Sequence, residues 1–366
     1  MGIRVLHCVA TMGRAGLETM LMNYYRYIDR EKVQFDFLEN RKFRPDYHEE
    51  IYQLGGKIYQ TSRLIPWSRS YRDEVRSFFI SHPEYKIVHV HQDCLSSVIL
   101  QCAEEAGVPV RISHSHAASQ DKNLKYLIKL YYRRKIPRYA TDLLACSHAA
   151  GDFMFPGCSY QIMKNAIEVD RFTYNSAVRK KIRDEFGFDD KIIIGHIGRF
   201  SPQKNHSFLI QVFAECLKRE PEARLLLVGD GELRSDAEKQ VKESGIEDKV
   251  LFTGVRGDVE ELLQAMDVFL FPSLYEGLPV TMIEAQASGL PCVISDQVPE
   301  ECIITNDLVK IQSLKNPADV WADIVLEQAA QKRVDHSEEV KISGYDVKDA
   351  AVWAEKYYME KAEVIC

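Results

Sequence analysis

Short apolar runs alternate with longer amphipathic stretches along the whole chain. In the first half, residues 4–9, 34–38, 87–90, 110–113 and 142–145 read as strands, being brief, apolar and bounded by turn formers. Between them, 17–28 and 95–106 carry apolar residues at helical spacing. The second half restarts the rhythm, with strands expected at 192–197, 223–228, 250–252, 268–271 and 291–294. Helices are expected at 208–218, 233–244, 259–265 and 280–288, with a last one at 348–362. Strands that alternate with helices pair in parallel through right-handed crossovers. The expected fold class is therefore α/β. Its architecture is two doubly wound, Rossmann-like parallel-sheet domains of about five strands each, facing a cleft.

The break between the halves falls in 157–190, which holds Gly157, Asn165 and the polar stretch 175–190. The expected domains are 1–165, 166–345, and a C-terminal helix in 346–366 that packs back toward the first domain. At 366 residues the chain is long for one core and comfortable for two. A net charge of −7 argues against a general nucleic-acid binder. The nine cysteines are odd in number and show no C-x-x-C spacing, and several sit in apolar runs, so neither a disulfide framework nor a zinc site is expected from them. No apolar run approaches the length that spans a bilayer, and the first strand is too short for a signal peptide. The expected location is the cytoplasm.

Two segments carry candidate chemistry. In Gly198-Arg199-Phe200-Ser201-Pro202-Gln203-Lys204-Asn205, a strand ends, a glycine turns the chain, and two cations precede a helix. Free helix N–H groups beside an Arg and a Lys suit a diphosphate. By itself the pair reads equally well as two solvated cations. In Glu276-Gly277-Leu278-Pro279-Val280-Thr281-Met282-Ile283-Glu284, one carboxylate lies in a turn and one on the next helix. Carboxylates at a cleft mouth accept hydrogen bonds from hydroxyls, and the turn amides can receive an oxygen. Spacing alone leaves open a capping glutamate plus a solvated one.

Read together, the pattern Glu-Gly-x-Pro-x4-Glu resembles the E-x7-E signature of retaining glycosyltransferases of the GT-B fold, family 4. Gly198-Arg199-x4-Lys204 is similar to that family's diphosphate-binding segment. Val228-Gly229-Asp230-Gly231 and Phe252-Thr253-Gly254 match further landmarks. The resemblance implies that Arg199 and Lys204 neutralise the donor diphosphate and that Glu284 binds the ribose. Glu276, with the amides of Gly277, Leu278, Pro279–Val280, would face the transferred sugar, and Val255 and Arg256 would hold the base. The implied donor is a UDP-sugar and the acceptor a saccharide or lipid-linked saccharide, in capsule, exopolysaccharide or O-antigen assembly. No cofactor is implied. No convincing Asp-x-Asp motif follows a strand, so no metal is expected.

The first half supplies Thr11-Met12-Gly13-Arg14-Ala15-Gly16-Leu17-Glu18, which resembles the family's glycine-rich loop and makes Gly16 a donor-site candidate. It also supplies Ser113-His114-Ser115-His116, where the resemblance implies one histidine near the anomeric carbon. His116 matches by position and His114 stays open. Finally, 122–138 carries seven basic residues, no acidic one, and apolar residues near helical spacing. Such a helix can lie on an anionic membrane, or pack its apolar stripe on its own domain. Two other readings of the whole remain: a nucleotide-sugar epimerase of the same build, and a nucleotide-sugar-binding protein without catalysis.

Overall fold

The computed structural model describes residues 2–41, 46–118 and 126–363. These divide into two compact units: 2–166 with 347–363, and 167–346. The helix Val347–Glu363 thus belongs to the first unit, where it packs against the helix Gly16–Tyr27.

The first unit holds seven parallel strands: β1 (Ile3–Val9), β2 (Val33–Glu39), β3 (Ile58–Gln60), β4 (Ile87–Val90), β5 (Val110–Ser115), β6 (Asp142–Ala145) and β7 (Gln161–Ile162). Their order is β3-β2-β1-β4-β5-β6-β7. Consecutive residues point to opposite faces. Along β1, Val5 and Val9 join one apolar cluster with Met20, Tyr24, Phe35, Phe37 and Tyr358, while Leu6 and Cys8 join another with Val88, Val98 and Tyr71. Both faces are covered, as a parallel sheet requires.

The second unit holds six parallel strands: β8 (Ile193–Ile197), β9 (Arg224–Val228), β10 (Val250–Gly254), β11 (Val268–Phe271), β12 (Cys292–Ser295) and β13 (Val309–Gln312). Their order is β10-β9-β8-β11-β12-β13. Ile194, Leu225, Leu227, Leu270 and Val293 pack on one core with Leu209, Phe213 and Trp321. In each unit the winding reverses beside the first strand, between β1 and β4 and between β8 and β11. A ligand crevice opens at such a reversal, past the carboxyl ends of the strands.

The expectation of about five strands per domain is corrected to seven and six. The additional ones, β3, β7 and β13, are two to four residues long and lie at sheet edges. The polar stretch 175–190 is no linker. It forms the helix Ser176–Phe186, capped by the Asn175 side chain and ended by Gly187 in the left-handed region. Arg179 and Arg183 on this helix grip Asp267, which also accepts from the backbone N–H of Ile193 at 2.7 Å. Polar residues here buy attachment to the second core. Eight described cysteines are free thiols, all but Cys158 buried.

Candidate active site

In the second unit, the reversal between β8 and β11 gathers the two segments that the sequence set apart. Lys204 donates from Nζ to Glu276 Oε1 at 2.8 Å, and both side chains are largely buried. Gln203 donates to Glu276 Oε2 at 2.9 Å and to the Tyr275 carbonyl at 3.0 Å. The loops are stitched again by Leu274 N–H to Gln203 O (2.8 Å) and by the Asn205 side chain to Pro272 O (3.2 Å). Asn205 adopts a left-handed φ of 56°, which asparagine tolerates better than most residues. The Lys204 ammonium also lies 4.4 Å from the centre of the Phe271 ring.

Glycine is required at two places in this corner. A Cβ on Gly198 would stand 2.9 Å from His196 Nε2 and 3.3 Å from Lys204 Cε, blocking the path of the lysine. A Cβ on Gly229, at φ +136°, would stand 2.1 Å from the Gly198 carbonyl oxygen.

The remaining candidates sit around this pair in different states. Arg199 is exposed. Gly277, Leu278, Pro279 and Val280 are buried, and Pro279 caps the helix Val280–Ala287. Glu284, on that helix, is buried, which pushes its carboxyl up to about 7; Glu260 raises it further and Arg171 opposes. Val255 is half-exposed, and Arg256 is engaged in a two-point pair with Asp258 at 2.6 and 2.8 Å.

In the first unit, Gly16 opens the helix Gly16–Tyr27, and nothing lies within 4 Å of a Cβ built on it. A ligand could therefore reach this backbone. The loop before it is held by Glu39, a buried carboxylate at the end of β2. Glu39 accepts from Met12 N–H at 2.5 Å, from the Gln60 side chain at 3.2 Å, and meets His48 Nε2 at 3.0 Å. His114 lies inside β5 and is buried, whereas His116 lies just past its end and is half-buried. His116 Nε2 and His91 Nδ1 share a hydrogen bond of 2.9 Å, and burial pulls the His116 pKa down to about 3. Of the two histidines, His116 is the one a ligand could touch.

Gln203, Glu39, Arg171 and Glu260 escaped the sequence reading. Gln203 had a usable signal, since it adjoins Lys204. Glu39 had a weaker one, an acid closing an apolar strand. Arg171 and Glu260 pair with each other and shape the field at Glu284, a relation between distant segments that no local pattern carries.

Of the basic stretch 122–138, residues 122–125 lie outside the described residues, as do 42–45 of the loop before the helix His48–Gln53. The rest forms the helices Tyr126–Arg133 and Ile136–Tyr139. Its apolar stripe is divided. Tyr132 is buried and donates to the Pro66 carbonyl at 2.9 Å. Leu127 is 76% exposed and Tyr131 56%, and the nearby loop presents Trp67 at 67%.

These features define an enzyme class by fold and site: two doubly wound units, the second with a lysine and a glutamate joined at its strand reversal. The family model for glycosyl transferases group 1 matches residues 178–325. The chain is 38% identical over 362 residues to EpsF of Bacillus subtilis (strain 168), which carries the name of a glycosyltransferase; 94% of this chain and 93% of that one are covered. It is 26% identical over 242 residues, 61% of each chain, to the UDP-Gal:alpha-D-GlcNAc-diphosphoundecaprenol alpha-1,3-galactosyltransferase of Escherichia coli. Among solved structures it resembles Anabaena Alr3699/HepE in complex with UDP, with a TM-score of 0.79 at 18% identity, covering 98% of this chain and all of that one. The protein belongs to the group 1 glycosyltransferases, and its two parallel-sheet units are those of the GT-B fold.

Proposed function

We propose that the protein is a retaining hexosyltransferase that moves a hexosyl unit from a UDP-sugar to a saccharide or lipid-linked saccharide in polysaccharide assembly. The observation that carries this reading is the Lys204–Glu276 pair, held by Gln203 at the reversal of the second sheet. A buried ammonium there can turn from its glutamate to a diphosphate oxygen when a donor arrives, and exposed Arg199 is free to close on the same anion. Charge that builds on the leaving diphosphate is then met by fixed cations, usually the largest catalytic contribution. Transfer needs no metal on the diphosphate in this scheme.

Glu276, relieved of Lys204, accepts from hydroxyls of the transferred sugar, and the backbone of Gly277–Val280 lines it. Glu284 takes the ribose, and Val255 with Arg256 takes the base. In the first unit, Gly16 gives its open backbone to the substrate and His116 gives its imidazole to the reacting end of the sugar. Support for the donor comes from two relatives, the galactosyltransferase that uses UDP-Gal and the structure that binds UDP. Support for a lipid-linked acceptor comes from the former's diphosphoundecaprenol substrate and from the exposed Leu127, Tyr131 and Trp67 among basic residues. That face is proposed to rest on an anionic membrane from the cytoplasmic side. Among the described residues, no helix is long and apolar enough to cross one.

The test is a panel of nucleotide sugars read by nucleotide release and by thermal shift, with Lys204→Ala and Glu284→Ala as controls. Both substitutions are expected to weaken UDP-sugar binding and leave the protein folded. Undiminished donor affinity in both would overturn the assignment. Donor epimerisation without acceptor would replace transfer by the epimerase reading.

A further inference from the structure

The first unit concentrates five histidines on one face of its sheet: His7 on β1, His89 and His91 at the end of β4, and His114 and His116 at the end of β5. The register sets His7 beside His89. Four are buried and His116 is half-buried. Buried polar atoms are almost always hydrogen-bonded, and each orphan is destabilising. Yet neither ring nitrogen of His114 meets hydrogen-bond geometry, the Met163 main chain lying near enough only to bias its charge. His7 Nε2 and His89 Nε2 are orphans too.

We propose that His91, His114 and His116 form a binding site for a divalent first-row transition metal, Zn2+ being the best match. Ligand nitrogens of the three lie within 4.8 Å of one another. With metal–nitrogen bonds of about 2.0–2.1 Å and tetrahedral angles, nitrogens stand about 3.3 Å apart and ring centres about 5 Å. The ring centres of His91 lie 5.2 Å from His116 and 5.3 Å from His114. His91 Nδ1 and His116 Nε2 are 2.9 Å apart, so an ion has to open them by a few tenths of an ångström. The His114 and His116 rings, 4.0 Å apart, open by about 1 Å on the same geometry.

The surroundings fit the donor set. Metal-bound imidazoles use their second nitrogen on an outer partner, which fixes the ring. His91 does so through Nε2, 3.1 Å from His7 Nδ1. Burial keeps these rings neutral at ordinary pH, the form that binds metal. The overlapping set His7, His89 and His91 is less suited. It is sealed among Phe35, Phe37 and Tyr358, where a dication has neither counter-charge nor water. The half-buried His116 gives the chosen set a side that water or an anion can reach, which a three-histidine site needs for its fourth position. The set shares His116 with the group proposed to face the sugar and holds none of the residues proposed for the diphosphate, and its test involves no sugar nucleotide.

The full chain, prepared without a polyhistidine tag, is stripped with a chelator and titrated with Zn2+ by calorimetry and with Co2+ by visible absorption. The expected result is one ion per chain, the strong visible bands of four-coordinate cobalt, and a higher Tm with metal. His114→Ala and His116→Ala should each abolish the bands, and the second lies past a strand end where folding tolerates change. His7→Phe should weaken binding about 10- to 100-fold, the usual cost of losing an outer partner. No stoichiometric uptake by the folded chain would overturn the proposal and leave a neutral hydrogen-bonded chain from His116 through His91 to His7. Uptake unchanged in both alanine variants would overturn it equally, placing the ion elsewhere.

Discussion

The two units reverse their winding at the same place, yet they furnish that place in opposite ways. In the second unit the crevice beside β8 and β11 is charged: Lys204 and Glu276 face each other at 2.8 Å, with exposed Arg199 nearby. In the first, the corresponding crevice beside β1 and β4 is filled by imidazoles that burial keeps neutral, together with an open glycine backbone. The shared fold decides where a ligand can enter, and side chains decide what it is. A corner that stores a separable ion pair is ready for an anion. A corner of neutral rings is ready for a sugar or a metal.

The most damaging single change to this contrast is Lys204→Ala. It removes a cation assigned to the leaving diphosphate, so transfer measured by nucleotide release is expected to fall about 10²–10³-fold. It also strands Glu276 as a buried charge, so unfolding is expected to ease by about 3 kcal/mol in a denaturant titration. Lys204→Ala together with Glu276→Gln should recover most of that stability and none of the activity. Activity that recovered with stability would mean that the pair serves the fold alone.

Glu284 sharpens the comparison through pH. Its carboxyl ionises near 4.5 in the unfolded chain and near 7 in the folded one, so between these values the folded form holds the extra proton. Raising the pH through that window therefore costs stability, about 1.4 kcal/mol per unit. Glu284→Gln is expected to flatten the Tm profile between pH 5 and 7, and an unchanged slope would assign the titration elsewhere. The neutral rings of the first unit predict the opposite pattern. His116, held down to about 3, adds no titration above pH 5 in the folded chain, so its NMR shifts should stay flat from pH 5 to 8. The smallest effect is at the exposed basic segment 126–138, proposed to rest on a membrane. Arg134→Ala should weaken adsorption to anionic vesicles about fivefold at low salt and less at high salt.

Much of this plan is legible in the sequence. The ten strongest strands stand out because parallel strands buried on both faces are near-continuously apolar, as in 268–271 and 225–228. Edge strands such as Gln161–Ile162 bury little and left no such trace. The helix Ser176–Phe186 leaves no apolar signal because what anchors it is a pair of arginines on Asp267, and an arginine that grips a distant carboxylate has the same sequence pattern as a solvated one. The site shows the same division. Lys204 and Glu276 could be picked out singly, each with its family motif. Their contact, the bracing by Gln203 and the convergence of five histidines from three strands depend on register and winding.

The helix Val347–Glu363 has a consequence for how the protein comes into being. The second unit is one unbroken stretch of chain, 167–346, and can close as soon as it has left the ribosome. The first unit is made before it but is completed after it. Ala354, Tyr357 and Tyr358 belong to its core, and the Tyr358 hydroxyl meets His89 Nδ1 at 2.7 Å. Until those residues arrive, the face that carries Phe35, Phe37 and the histidines is covered only in part, by the helix Gly16–Tyr27. Synthesis therefore runs first unit, second unit, first unit again, and the earliest-made sheet is expected to be the last to become resistant to protease.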